Sequence, residues 1–182
     1  KNYYKKNTNI LVTRFECDDG IFEVYDFAPR FELFERFHKP LKLFRKIKKV
    51  QGTPSIKVEC HPVGEYGEVQ TSSSLGSNHI AYHGIKQTLR LTSNISKVYI
   101  KENKYFALTE DKYLVLSLGD HLEAPLESTF NEFYARTKRY WEKWVENCSI
   151  PNIYQQEVIR SALILKLHQY EDTGAIIASS TT

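Results

Sequence analysis

From Asn152 to Tyr170 the sequence reads as one helix with apolar residues on nearly every side. Ile153, Tyr154, Val158, Ile159, Ala162, Leu163, Ile164, Leu165 and Leu167 cover most of its circumference. A helix apolar all round has to be buried on several sides. Asp172-Thr173-Gly174 punctuates its end, and the 12 residues after Tyr170 are too few to cover it. The chain is therefore expected to be a piece of a larger protein, one helix into a helical domain whose other helices lie elsewhere. It also begins at Lys1 and holds no Met, so an N-terminal piece, with any targeting segment, is expected to be missing as well.

Everything before Gly119 carries a different period. Ile10 to Phe15 is β-branched and apolar, Asp18-Asp19-Gly20 is a turn signal, and Ile21 to Phe27 alternates. Phe22, Val24 and Asp26 fall on one face, and Ile21, Tyr25 and Phe27 on the other. These runs predict a hairpin. Phe31 to Pro40 reads as a loop. Leu41 to Val50 reads as a strand, Gly52 as a turn, and Ser55 to His61 as another strand ended by Pro62. Gly64 to Asn78, rich in Gly, Ser and Thr, reads as a long loop. Short strands are predicted at His79–Tyr82, Gln87–Leu91, Val98–Ile100, Tyr105–Leu108 and Tyr113–Leu118. Their close spacing leaves no room for crossover helices, so the expectation is an antiparallel sandwich or barrel.

Past Gly119, Pro125 and Ser128 are candidate helix starts. Phe130, Phe133, Tyr134, Thr137, Trp141, Trp144 and Val145 then recur at three- and four-residue steps, one stripe of an amphipathic helix. The two tryptophans read either as its packing face or as a sugar-stacking platform.

The net charge is +3, too small to argue for nucleic acid, and it is unevenly spread. Residues 1–121 hold 19 Lys+Arg against 14 Asp+Glu, net +5; residues 122–182 hold 6 against 8, net −2. Lys39, Lys42, Arg45, Lys46, Lys48 and Lys49 cluster around one strand. That cluster reads either as a phosphate or nucleic-acid surface or as an edge or solvent-facing strand kept unpaired by lysines. Without an aromatic ladder or Gly-rich loop, the second reading is preferred and no nucleic-acid partner is expected. Cys17, Cys60 and Cys148 are widely spaced and suggest neither a zinc site nor a disulfide framework. Reduced thiols in a cytosolic protein are the default, no run is long enough to span a membrane, and no signal peptide is visible.

Several of these segments together resemble glycoside hydrolase family 15, the glucoamylase-like and trehalase-like inverting glucosidases, across nearly the whole chain. The resemblance rests on Asn7-Thr8-Asn9-Ile10-Leu11 with Thr13, on Gly20 to Val24 with Asp26-Phe27-Ala28-Pro29-Arg30, and on the basic strand with Gly52. Pro62 and Tyr66-Gly67 add to it. Its most specific part is Trp141, Trp144, Tyr154, Val158, Arg160-Ser161-Ala162-Leu163, Leu165-Lys166, Thr173 to Ala178 and Thr181-Thr182. The resemblance implies a mainly β fold with C-terminal helices. An antiparallel β-sandwich domain (1–121) would be followed by a linker helix (122–149) and the first helix of an (α/α)6 catalytic barrel (150–182). It implies a parent that hydrolyses α-glucosidic bonds of trehalose, starch-like glucans or dextrans, with inversion and without a cofactor or metal. The family's Arg-Asp glucose-binding pair and its two catalytic Glu residues would lie beyond Thr182.

Inversion needs two carboxyl groups about 6.5–9.5 Å apart. Glu102 and Glu110, Asp111 and Asp120, and Glu127 and Glu132 are the pairs considered, and each reads as solvated charge. No catalytic residue is therefore expected in this chain, and the piece alone should be inactive. Arg160, three residues after Glu157, is read as an internal ion pair with it or, as the one substrate-side candidate, as a residue orienting barrel loops. The rival reading of the whole is a non-catalytic carbohydrate-binding or scaffold module, complete in itself. Substrate would be an α-glucoside or α-glucan met through the barrel; no membrane partner is expected, and a homo-oligomer is left open.

Overall fold

In a computed structural model, β1 (Asn2–Tyr4) pairs antiparallel with β2 (Leu11–Cys17), which turns through Asp18-Asp19 into β3 (Gly20–Phe27). Residues 1–119, 122 and 125–179 are described. Asp120, Thr181-Thr182 and the boundary expected at residue 121 fall outside them. The Asp-Asp-Gly turn forms as read. Gly20 sits opposite Gly52, and a Cβ on Gly52 (φ +69) would lie 2.3 Å from the Asp19 carbonyl oxygen. Only glycine allows two backbones that close. The alternation of β3 also holds. Phe22 and Val24 enter one core, Phe27 enters another, and Tyr25 meets the last long helix edge-on.

The segment expected as a loop after Pro29 is a hairpin, β4 (Phe31–Leu33) and β5 (Arg36–His38). Its turn residues Phe34 and Glu35 both have positive φ, +49 and +60. Such turns favour Gly and Asn, so Phe-Glu hid it. The basic strand is β6 (Lys42–Gly52), followed by β7 (Ser55–Ile56). The expected long loop holds β8 (Val63–Gly64), β9 (Val69–Gln70) and β10 (Ser72–Leu75). Then come β11 (His79–His83) and β12 (Leu89–Ser93). The strand expected at Val98–Ile100 is instead a short helix, α1 (Lys97–Lys101). It drops Ile100 into the core and leaves Val98 and Tyr99 exposed; three apolar residues cannot separate the two periods. β13 (Phe106–Ala107), β14 (Lys112–Leu118), α2 (Leu126–Glu146) and α3 (Gln155–Leu167) complete the chain.

The fold is mainly β. Eight strands form an antiparallel sheet in the order β1-β2-β3-β6-β14-β12-β11-β10, and β13 pairs separately with β7. This is consistent with the expected sandwich. One face of the sheet packs Val24, Ile47, Ile80, Leu91 and Leu114 against Ile56, Leu108 and Ile100. The other packs Ile10, Phe27, Phe44, Tyr113 and Val115 against Phe130 of α2. β6 is therefore a central strand, which corrects the edge reading. Two of its cations are paired across it: Arg45 makes a two-toothed pair with Asp26 of β3 at 2.7 and 2.9 Å, and Lys46 pairs with Asp111, just before β14, at 2.8 Å.

α3 rests on α2 through Leu163, Trp141 and Val145. Ile159 packs partly buried beside them, but other apolar side chains expected to be buried are open to solvent, Ile164, Leu165 and Leu167 at 46, 55 and 49 %. No helix of the described residues is long and apolar enough to cross a membrane. Cys17, Cys60 and Cys148 are unpaired.

Candidate functional site at the junction of sheet and last helix

The segments that carry the sequence resemblance meet where α3 docks on the sheet. Pro29 ends β3 and delivers Arg30 into a buried position beneath α2, where its backbone N–H donates to Thr137 Oγ1 at 3.3 Å. Its Nε donates to Glu171 Oε1 at 3.1 Å, and Nη2 closes a second bond to the same oxygen. Nη1 and Nη2 reach the carbonyls of Lys166 and Gln169, both at 3.3 Å. The guanidinium also lies over Trp141 and Tyr140, at 5.6 and 5.8 Å from the ring centroids. One arginine thus ties the last turn of α3 and the chain that follows it to the buried carboxylate.

Glu171 is returned to this arginine by the turn after α3, in which Gly174 takes φ +74 and donates to the Tyr170 carbonyl at 2.8 Å. Tyr140 Oη donates to Glu171 Oε1 at 2.9 Å, and Lys166 Nζ to Oε2 at 3.1 Å. Burial pushes the Glu171 carboxyl toward higher pKa, but the bonds from Tyr140, Lys166 and Arg30 outweigh it and hold the group below the usual carboxylate value. Burial and the same carboxylate push the Tyr140 phenol up, against the opposing charge of Arg30. A carboxylate held ionised by three donors has no proton to give at neutral pH, so Glu171 is a clamp rather than a general acid.

A second tie lies one turn away. Arg160 does not turn along the helix to Glu157. Its Nη1 donates to the Thr8 carbonyl at 3.0 Å, Nη2 bonds Asn9 Oδ1, and the guanidinium stacks 4.1 Å from the Tyr4 ring centroid. Asn9 Nδ2 donates back to the Leu163 carbonyl at 3.1 Å. Burial lowers the Arg160 pKa, and its buried Nε has no partner. The structure thus places the one substrate-side candidate against the β1–β2 connection.

Each carboxylate considered for catalysis that lies among the described residues has a partner. Glu102 meets Lys104, Glu110 meets Lys112 at 2.7 Å, and Asp111 meets Lys46. Glu127 accepts from Tyr113 Oη at 2.9 Å, and Glu132 pairs with Arg136 at 2.8 Å. Among the described residues no three His, Cys, Asp or Glu side chains gather as a metal site needs. Both tryptophans pack where α2 meets α3, Trp141 buried and Trp144 half-buried beside it. Trp144 also lines a cavity of about 450 Å³ between the β4–β5 hairpin and α2. Arg30 and Glu171 escaped sequence reasoning as a pair; the signal was the Pro29-Arg30 step within a motif already noted, with nothing local to name its partner.

No family model matches the chain, and no solved structure matches it. It is 26 % identical to a trehalase of Thermoplasma volcanium over 98 % of its length, and 27 % identical to a trehalase of Thermoplasma acidophilum over 98 %. It is 27 % identical to trehalase 2 of Sulfolobus acidocaldarius over 94 %. The chain spans only 29, 32 and 30 % of those proteins respectively. Similarity to several trehalases along nearly the whole chain supports a trehalase-like glycoside hydrolase relationship.

Proposed function

We propose that this chain is the N-terminal region of an inverting α-glucosidase of the family 15 type, with trehalose as its substrate. The observation that carries this reading is the end-to-end similarity to trehalases of which the chain spans about a third. The solvent-open apolar side of α3 supports it, because a further helical domain would cover that side. In this reading residues 1–121 form the β domain, 122–149 the connecting helix, and 150–182 the entry into an (α/α)6 barrel that supplies both catalytic carboxylates. The Arg30–Glu171 and Arg160–Asn9 ties then hold the first barrel helix in register with the sheet, with Arg160 orienting the barrel from behind. The test is hydrolysis of trehalose by the full-length protein, followed by NMR before mutarotation. Inversion releases one α- and one β-glucose per trehalose; two α-glucoses, or no hydrolysis, would overturn the reading. The 182-residue chain alone should release no glucose.

A further inference from the structure

Along α2 the exposed cations are neutralised one turn away by acids: Glu132 by Arg136 at 2.8 Å and Lys138 by Glu142 at 2.7 Å. Arg139 and Lys143 break that pattern. They are one turn apart, of like sign, and both exposed on the wall of the 450 Å³ cavity. Like charges at this spacing destabilise a helix. Two further cations, Arg136 and Lys166, line the same cavity, against one carboxylate, Glu32. Between the charges stand the half-buried rings of Tyr140 and Trp144.

From this juxtaposition we propose that the cavity binds a ring-bearing phosphomonoester, its phosphate held by Arg139 and Lys143 and its ring against Tyr140 and Trp144. Arg supplies a planar fork of donors and Lys a point charge on a flexible stem, and both suit a phosphate. Aromatic faces take the apolar face of a ring, and the volume lies within the range of small-molecule sites. Glu32 repels the anion and limits its affinity.

Calorimetric titration of the 182-residue chain, which lacks the catalytic barrel of the proposed function, with glucose 6-phosphate, glucose and inorganic phosphate tests this. Glucose 6-phosphate should bind at millimolar ligand or below and perturb tryptophan fluorescence, whereas glucose should not bind. Inorganic phosphate should bind more weakly than the ester. R139A/K143A changes only exposed side chains and should weaken binding by about tenfold or more, the loss of charge-assisted hydrogen bonds. E32Q should tighten it. Equal binding of glucose and its phosphate, unchanged affinity in R139A/K143A, or no binding by the wild type would overturn the site. Inorganic phosphate binding as tightly as the ester would overturn its ring contact.

Discussion

Arg30 and Glu171 lie 141 positions apart in the sequence and form a buried ion pair, with side chains 11 and 5 % exposed. The pair closes the end of α3 onto the β3–β4 connection. Its environment supplies what a buried pair needs: Tyr140 and Lys166 also donate to the carboxylate, and two backbone carbonyls accept from Nη1 and Nη2 of the guanidinium.

Removing one partner strands the other. E171A should therefore cost about 3–5 kcal/mol in urea unfolding. The double variant R30M/E171L should recover much of that loss, since no charge is then left unpaired. A double variant as unstable as E171A would show that the tie matters for packing rather than for charge.

The carboxyl of Glu171 titrates below its ordinary value of 4.5 in the fold. The folded state therefore binds fewer protons, and the stabilisation is complete above about pH 4.5 and lost as pH falls below it. Urea midpoints of the wild type should fall through this window more steeply than those of E171Q. Glu23, held low by Tyr25 and Arg14 against the pull of burial, leaves a residual slope in both.

Leu163 is 2 % exposed and is the only residue of α3 in the buried set that joins it to Trp141 and Val145. L163A should cost about 2–5 kcal/mol. Hydrogen exchange should show the loss first in residues 155–167, with the sheet still protected. Uniform loss of protection would mean that α3 and the sheet unfold as one unit.

Arg45 offers the contrast. Its pair with Asp26 has good geometry but an arginine side chain 48 % exposed. R45A should change stability by less than about 1 kcal/mol, and less still at high salt. A thermal scan at two salt concentrations checks this.

Local pattern was readable where period and turn chemistry agree. The β2–β3 hairpin, its glycine turn, the two faces of β3 and the stripe of α2 follow from alternation, Gly20 and three- and four-residue spacing. Val98-Tyr99-Ile100 was misread because a short apolar run suits either period, and the β4–β5 turn because Phe34 and Glu35 are not turn residues by preference. The basic strand is central and not at an edge, and the acids that pair with it, Asp26 in β3 and Asp111 just before β14, are distant in sequence. At the junction, Asn9, Arg30 and Arg160 stand within the segments that carry the resemblance, but their partners were not legible: Glu157, three residues from Arg160, was the local candidate, and Arg160 bonds Asn9 instead.

By itself the sequence determined the β-then-α order, the amphipathic face of α2, and a last helix too apolar for the residues that follow it. These are properties of spacing and side-chain type, which act over a few residues. Only the tertiary structure decided that residues near 8, 30, 160 and 171 share one junction. Burial makes each of those charges costly alone, and it is met by a partner from the far end of the chain, a pairing that depends on how the sheet and α3 are brought together and on no local period.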